Sequence, residues 1–158
     1  MQKIVLCIFF IFTLFSYGQE IDPLAVSTDN LPSQKKWVDS IYNTFSLDEK
    51  IGQLFMPMVF SERDSLHYKS TLDLIKNHKI GGLVFSRGGP VKQSQWLNTF
   101  QENSTIPLLI AMDAEWGVAM RLDSVKGFPW PMTLGAVKDT LLLRAIGKRM
   151  GDQENRLG

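Results

Sequence analysis

The stretch Ile106-Pro107-Leu108-Leu109-Ile110-Ala111-Met112-Asp113 is a continuous apolar run that ends abruptly on a carboxylate. Antiparallel strands with one wet face alternate apolar and polar residues. Unbroken runs mark strands buried on both faces, as in parallel α/β sheets. Working outward, Ile80-Gly81-Gly82-Leu83-Val84-Phe85 is a second such run. Phe55-Met56-Pro57-Met58-Val59-Phe60 is a third, weakened by Pro57, which cannot donate to a strand ladder. Helical spacing separates them. Residues 67–78 turn Leu72 and Ile75 inward, and residues 91–102 turn Trp96, Leu97 and Phe100 inward. Strand and helix alternate three times, so the fold class is α/β with right-handed crossovers. Two architectures share this order: an open doubly wound sheet, and part of a (β/α)8 barrel.

The punctuation between elements agrees. Ser46-Leu47-Asp48-Glu49 has the spacing of a capping box, in which the serine hydroxyl accepts from the fourth amide and the glutamate reaches back. Asp48 and Glu49 could be read as catalytic acids, but capping explains their spacing. Leu47, Ile51, Leu54 and Phe55 are expected on one face of the helix that the box opens. Gly81 and Gly82 permit a tight strand entry. Asp139 opens a last helix with Leu142, Ile146 and Met150 along one face. Ahead of all this, residues 33–44 carry Trp37, Val38, Ile41 and Tyr42 at helical spacing, and residues 19–32 form a flexible leader with two prolines.

The chain opens with Lys3, an apolar run over residues 4–15 and the small-residue exit Ser16-Tyr17-Gly18. This is the pattern of a signal peptide over residues 1–18, with export to the periplasm or the extracellular space. The alternative is an uncleaved anchor, although the run is shorter than the ~20 residues a membrane helix needs. Cys7 lies inside the run rather than at its end, which argues against a lipid-bearing cysteine. Cleavage removes Lys3 and no acid, so 17 basic and 16 acidic residues become a formally neutral mature chain. Neutrality gives no electrostatic reason to expect a nucleic-acid partner. The mature part has no cysteine, and its histidines are His67 and His78. That composition points to no zinc or other metal site, and no cofactor is expected.

Ligands of parallel α/β folds bind at the carboxyl ends of the strands. The loop after Met112 is the most informative: Asp113-Ala114-Glu115-Trp116-Gly117-Val118-Ala119-Met120-Arg121. A charge directly after an apolar strand must leave the core at the sheet's mouth, which favours a ligand contact. The alternative is that Asp113 caps a turn or pairs with Arg121. Asp113 and Glu115 in extended chain would point the same way, ~7 Å apart. Retaining glycosidases hold their two carboxyl groups about 5–5.5 Å apart. Trp116 and Trp130 flank the region, and an indole face can stack on a sugar ring. Phe128-Pro129-Trp130-Pro131 is stiff and shapes the mouth. Ser86-Arg87-Gly88-Gly89 lacks the spacing of a phosphate or dinucleotide loop.

From about Leu47 to Gly158 these pieces, in this order, resemble the N-terminal barrel domain of glycoside hydrolase family 3. The resemblance rests on Glu49-Lys50-Ile51-Gly52-Gln53-Leu54, on Ile80 to Phe85, on Ile106 to Asp113, and on Phe128-Pro129 followed by Leu134-Gly135-Ala136. It implies that residues 33–158 form the N-terminal part, about three β/α units, of a (β/α)8 TIM-type barrel. It implies a carbohydrate partner, and it assigns Asp113 to hydroxyls of the sugar in the first subsite. Arg121 matches a recurrent arginine with a supporting role in substrate binding. Where the family pattern reads Asp-x-Glu-Gly-Gly, this chain has Trp116 in place of the first glycine, so Trp116 is expected to reshape the substrate site. The run is closer to the β-N-acetylglucosaminidase branch than to the β-glucosidases.

In that branch a later His–Asp loop supplies the acid/base, and a later strand-end aspartate supplies the nucleophile of a retaining mechanism. Neither segment is present here, so no catalytic residue is assigned and the chain is expected to be an inactive, poorly folded fragment. A whole barrel takes roughly 250 residues. A second class of function is a carbohydrate-binding remnant using Asp113, Trp116 and Trp130. A third, a secreted α/β hydrolase or isomerase, lacks a Gly-x-Ser-x-Gly elbow and a downstream histidine.

Overall fold

The structure, a computed structural model, describes residues 31–158. The signal-peptide reading of residues 1–18, and the leader up to residue 30, lie outside the described residues. The chain divides into two compact units, one ending at Asn43 and one running from Thr44 to Gly158. The first contains helix α1, Leu31–Tyr42, which begins two residues before the sequence-based boundary. Lys35 and Asp39 pair one turn apart on it at 2.6 Å.

The second unit opens on the capping box. Glu49 N donates to Ser46 Oγ at 3.3 Å and Ser46 N donates to Glu49 Oε2 at 2.9 Å, which starts α2, Leu47–Gly52. Those bonds from Ser46, backbone first and hydroxyl second, hold the Glu49 carboxyl below its usual range. Glu49 is therefore a cap. The expected apolar face did not form inside the helix. Leu54 and Phe55 lie beyond its end, and Leu47, Ile51, Leu54 and Phe55 are all exposed.

β1 (Met58–Val59), β2 (Gly82–Phe85) and β3 (Leu109–Met112) form one parallel sheet in the order β1-β2-β3. β1 is shorter than the expected run of residues 55–60. Pro57 has no N–H to give, so at that end the chain contributes carbonyls alone. Phe55 O accepts from Gly81 N at 3.2 Å and Pro57 O from Val84 N at 3.0 Å. β3 loses its first residues to a side chain: Gln101 accepts from Leu108 N at 2.9 Å and donates to Leu108 O at 3.0 Å. Register sets Val59 opposite Phe85 and Phe85 opposite Met112, so the three carboxyl ends are level.

The crossovers are α3, Ser65–His78, capped by Asp64, and α4, Pro90–Glu102, with proline in its first turn where an amide is dispensable. They cover one face of the sheet. Ile75, Leu97 and Phe100 meet Val59, Leu83 and Phe85 in a closed core, and Tyr68, Leu72 and Trp96 pack against it. The opposite face is open among the described residues: Met58 and Leu109 are exposed. Burial on both faces, the sequence expectation, therefore holds for β2 better than for its neighbours. After β3 come a 3-10 turn (Val118–Met120), a short helix α5 (Pro131–Gly135) and α6 (Thr140–Asn155). Asp139 caps α6 through the amides of Leu141 and Leu142, at 2.9 and 3.2 Å. Leu142, Ile146 and Met150 are not buried.

Candidate functional site

Because the strand ends are level, the next residues form a row across the mouth of the sheet: Phe60, Ser86 and Asp113. Three loops rise from that row, and backbone bonds tie them together. Glu62 N donates to Arg87 O at 3.4 Å, linking the first loop to the second. Gly88 N donates to Arg121 O at 3.3 Å and Asp123 N donates to Gly88 O at 2.9 Å, linking the second to the third.

Asp113 stands at the carboxyl end of β3, where the apolar run stops. Arg121 returns to it from eight residues on. Its Nη2 pairs with Asp113 Oδ2, and its Nε donates to Asp113 O at 3.0 Å. The pairing that the sequence left open is thus present. It engages one carboxylate oxygen. The side chain remains 56% exposed, and Oδ1 has no protein partner among the described residues. A carboxylate accepts only, and an oxygen facing solvent beside a fixed guanidinium can accept from vicinal hydroxyls while the arginine donates.

Glu115 does not share an extended strand with Asp113. Gly117 N donates to Ala114 O at 2.9 Å, closing a turn, so the spacing estimate for an extended pair does not apply. In this turn Gly117 has φ 86° and needs glycine, whereas Trp116 does not have a positive φ. A side chain is therefore tolerated where the family pattern has its first glycine. The Trp116 ring stacks on Trp130 with centroids 5.4 Å apart and planes 29° from parallel, and Trp130 is largely exposed. Phe128 N donates to Trp116 O at 3.2 Å, so the stiff Phe128–Pro131 segment is what brings the second indole up.

Sequence reading missed the other end of the row. Phe60 N donates to His67 Nε2 at 3.1 Å, the Arg63 guanidinium lies 4.4 Å from the centre of the Phe60 ring, and that of Arg87 lies 5.6 Å from it. These residues come from two loops and a helix, and no local spacing announces them. Burial, and then the charge of Arg63, push the His67 imidazole below its ordinary 6.5, against a smaller opposing effect of Asp64. The geometry requires the same sign, because a protonated Nε2 would face the Phe60 N–H with a second N–H. A histidine whose folded value is depressed stabilises fully above its unfolded value, and that stability is lost as pH falls. Urea midpoints of the wild type should therefore drop below about pH 6.5 more steeply than those of His67→Gln. Parallel pH profiles for the two proteins would remove His67 from this role.

Among the described residues no group of three or more His, Cys, Asp or Glu side chains could hold a metal ion, and no helix is long and apolar enough to cross a membrane.

The profile of the glycosyl hydrolase family 3 N-terminal domain matches residues 46–158, from the α2 cap, through the loop that carries Asp113, to α6 and Gly158. The chain belongs to glycosyl hydrolase family 3. Its α/β sheet is accordingly the first three β/α units of that family's TIM-barrel-like domain. A β-N-acetylglucosaminidase/β-glucosidase of Cellulomonas fimi is 26% identical over 123 residues, which is 77% of this chain and 21% of that protein. Two structures of the β-glucoside phosphorylase BglX, one bound to 2FGlc, are each 26% identical over 61% of this chain. They superimpose with TM-scores of 0.49 and 0.45 and are covered to 16% and 15% of their length. The family 3 chain described here thus spans about a fifth of its curated relative and less of the solved ones. Within it, Asp113, Arg121 and Trp116 are brought to one loop, with Trp130 against Trp116.

Proposed function

We propose that this chain carries the first-subsite grip of an exported retaining glycosidase that removes terminal β-linked sugars, β-N-acetylglucosaminides in the first place and β-glucosides as the alternative. The observation that carries the reading is the Asp113–Arg121 pair at the end of β3, with one carboxylate oxygen left open. In the bound state Asp113 accepts from two neighbouring sugar hydroxyls and Arg121 fixes the carboxylate's orientation. The Trp116 indole, stacked on Trp130, offers the sugar an apolar face. The name of the Cellulomonas fimi relative joins the two candidate activities and supports both substrates. A retaining mechanism needs an acid/base and a nucleophile besides the grip. Asp113 has a binding role in this proposal, and the two catalytic groups come from later barrel loops. The chain alone is then inactive.

The test uses the secreted chain, with Gln19 as the expected first residue by mass spectrometry. It should bind N-acetylglucosamine, read by tryptophan fluorescence, and should not hydrolyse p-nitrophenyl N-acetyl-β-glucosaminide. Asp113→Ala should weaken binding by tenfold or more, the effect of losing charge-assisted bonds worth ~1.5–3 kcal/mol. Unchanged affinity would remove Asp113 from the site, and turnover by the chain alone would overturn the division of roles.

A second reading has one observation in its favour, the Trp116 ring stacked on the exposed Trp130. It makes the chain a carbohydrate-binding module without catalysis. A coding sequence past Gly158 with a His–Asp loop and a strand-end aspartate would decide for the glycosidase.

A further inference from the structure

We infer that the loops after β1 and β2 form a second saccharide subsite, one that selects a ring bearing a carboxylate or sulfate group, with Arg63 as the principal contact and Arg87 beside it. The inference rests on the sugar-binding reading of Asp113 for its place along the substrate, and on its own residues for its charge.

Two guanidinium groups converge on the single Phe60 ring, at 4.4 Å for Arg63 and 5.6 Å for Arg87. A third cation joins them: Lys92 Nζ donates to Arg63 O at 2.8 Å and lies 4.9 Å from the Trp96 ring centre. Like charges gathered this closely repel unless something offsets them. The carboxylates of these loops are already engaged. Glu62 Oε1 is 3.4 Å from Arg87 Nε, and Asp64 Oδ1 accepts from His67 N at 3.1 Å as the cap of α3. Among the described residues Arg63 makes no ion pair. Its guanidinium carbon lies over the Phe60 ring, and the N–H edge of a guanidinium without a carboxylate partner can take a carboxylate or sulfate through two parallel bonds.

The place of the cluster points to a substrate rather than to a stray ion. Phe60 and Asp113 are two strands apart in the same row, ~10 Å at the usual strand spacing. That exceeds the width of one pyranose ring. The acid would therefore sit on a neighbouring ring, not on the one held by Asp113. The route between them is continuous, since Arg87 precedes Gly88, whose amide bonds the carbonyl of Arg121. Beside the cluster an open groove of about 350 Å³ runs between α3 and α4, lined by Tyr68, Trp96 and Lys92 and also by Asp64, whose carboxylate accepts from His67 N as the α3 cap. An aromatic wall next to a cationic edge suits a ring with an apolar face and an acidic substituent.

The experiment titrates the full chain with D-glucuronate, N-acetylglucosamine 6-sulfate and neutral N-acetylglucosamine, read by amide NMR shifts. Either acidic probe, and not the neutral one, should move the signals of Phe60, Arg63 and His67, and the comparison of the two says which acid is preferred. Arg63→Gln should weaken the acidic probe about fivefold or more, the scale of one exposed charge pair, and leave neutral binding intact. Arg87→Gln serves as a second variant. Rising salt should weaken the acidic probe first. Equal binding of acidic and neutral probes at these loops, or no loss in either variant, overturns the inference. The two readings fail separately. Loss of neutral binding in Asp113→Ala with the acidic response intact keeps both. A neutral sugar that never binds, with the acidic response intact, sinks the Asp113 reading and leaves this one standing.

Discussion

Phe100→Ala is expected to lower the stability of the chain by about 3–5 kcal/mol, the range for emptying an aromatic site in a closed core. Phe100 has no solvent exposure. The Tyr68 ring stacks on it at 5.2 Å and the Trp96 ring meets it edge-on at 6.1 Å. Leu83 and Phe85 of β2 belong to the same buried cluster. A small domain has ~5–15 kcal/mol in all, so this one side chain is a large share of the total. The loss also reaches the mouth, because α4 carries Lys92 and Trp96 and is anchored through Phe100. Urea unfolding followed by circular dichroism measures it. Leu109→Ala is the control: that side chain is 65% exposed on β3, and the change should stay within ~0.5 kcal/mol. If both variants unfold at the same urea concentration, the core does not lie where the helices meet the sheet.

The contrast between those two leucine- and phenylalanine-sized sites shows what the sequence could tell. The runs at residues 80–85 and 106–112 announced strands, and the inward positions of α4 were readable from a 3.6-residue period, because those signals are local. Caps were readable for the same reason: Ser46–Glu49 and Asp139 act on amides within three residues. β1 was misjudged in length because Pro57 removes a donor while leaving carbonyls that still pair. The face of Leu47, Ile51, Leu54 and Phe55 was misjudged because periodicity reports which residues could share a helix, not where the helix stops. At the mouth, Asp113 was legible as a charge closing an apolar run, and its pairing with Arg121 was one of two arrangements that the residues allowed. The Arg63–Phe60–Arg87 cluster was not legible at all. Arg87 reaches Phe60 and Arg63 only because the α3 crossover returns β2 parallel to β1 at the same edge, and that return is a property of the fold rather than of any window of sequence.

Gly88→Ala is the change expected to damage that edge most. Gly88 has φ 147°, where a side chain is strained, and a Cβ there would lie 1.8 Å from Ser61 Oγ and 2.8 Å from Glu62 N. Ser61 is completely buried, so its hydroxyl has no free space to turn into, and the Glu62 amide is backbone. The second loop would have to move as a whole. Its movement breaks the bonds to Arg121 O and from Asp123 N, and with them the link between the Arg87 loop and the loop that holds Asp113. A loss of ~3 kcal/mol or more follows from the strain and the clash together, along with at least tenfold weaker binding of N-acetylglucosamine. Adding Ser61→Gly removes the hydroxyl but neither the amide nor the φ, so the double variant should recover part of the stability and less of the binding. If Gly88→Ala instead folds and binds like the wild type, the loops are not held by this crossing. Asp113 and Arg87 would then stand on adjacent loops without acting as one surface.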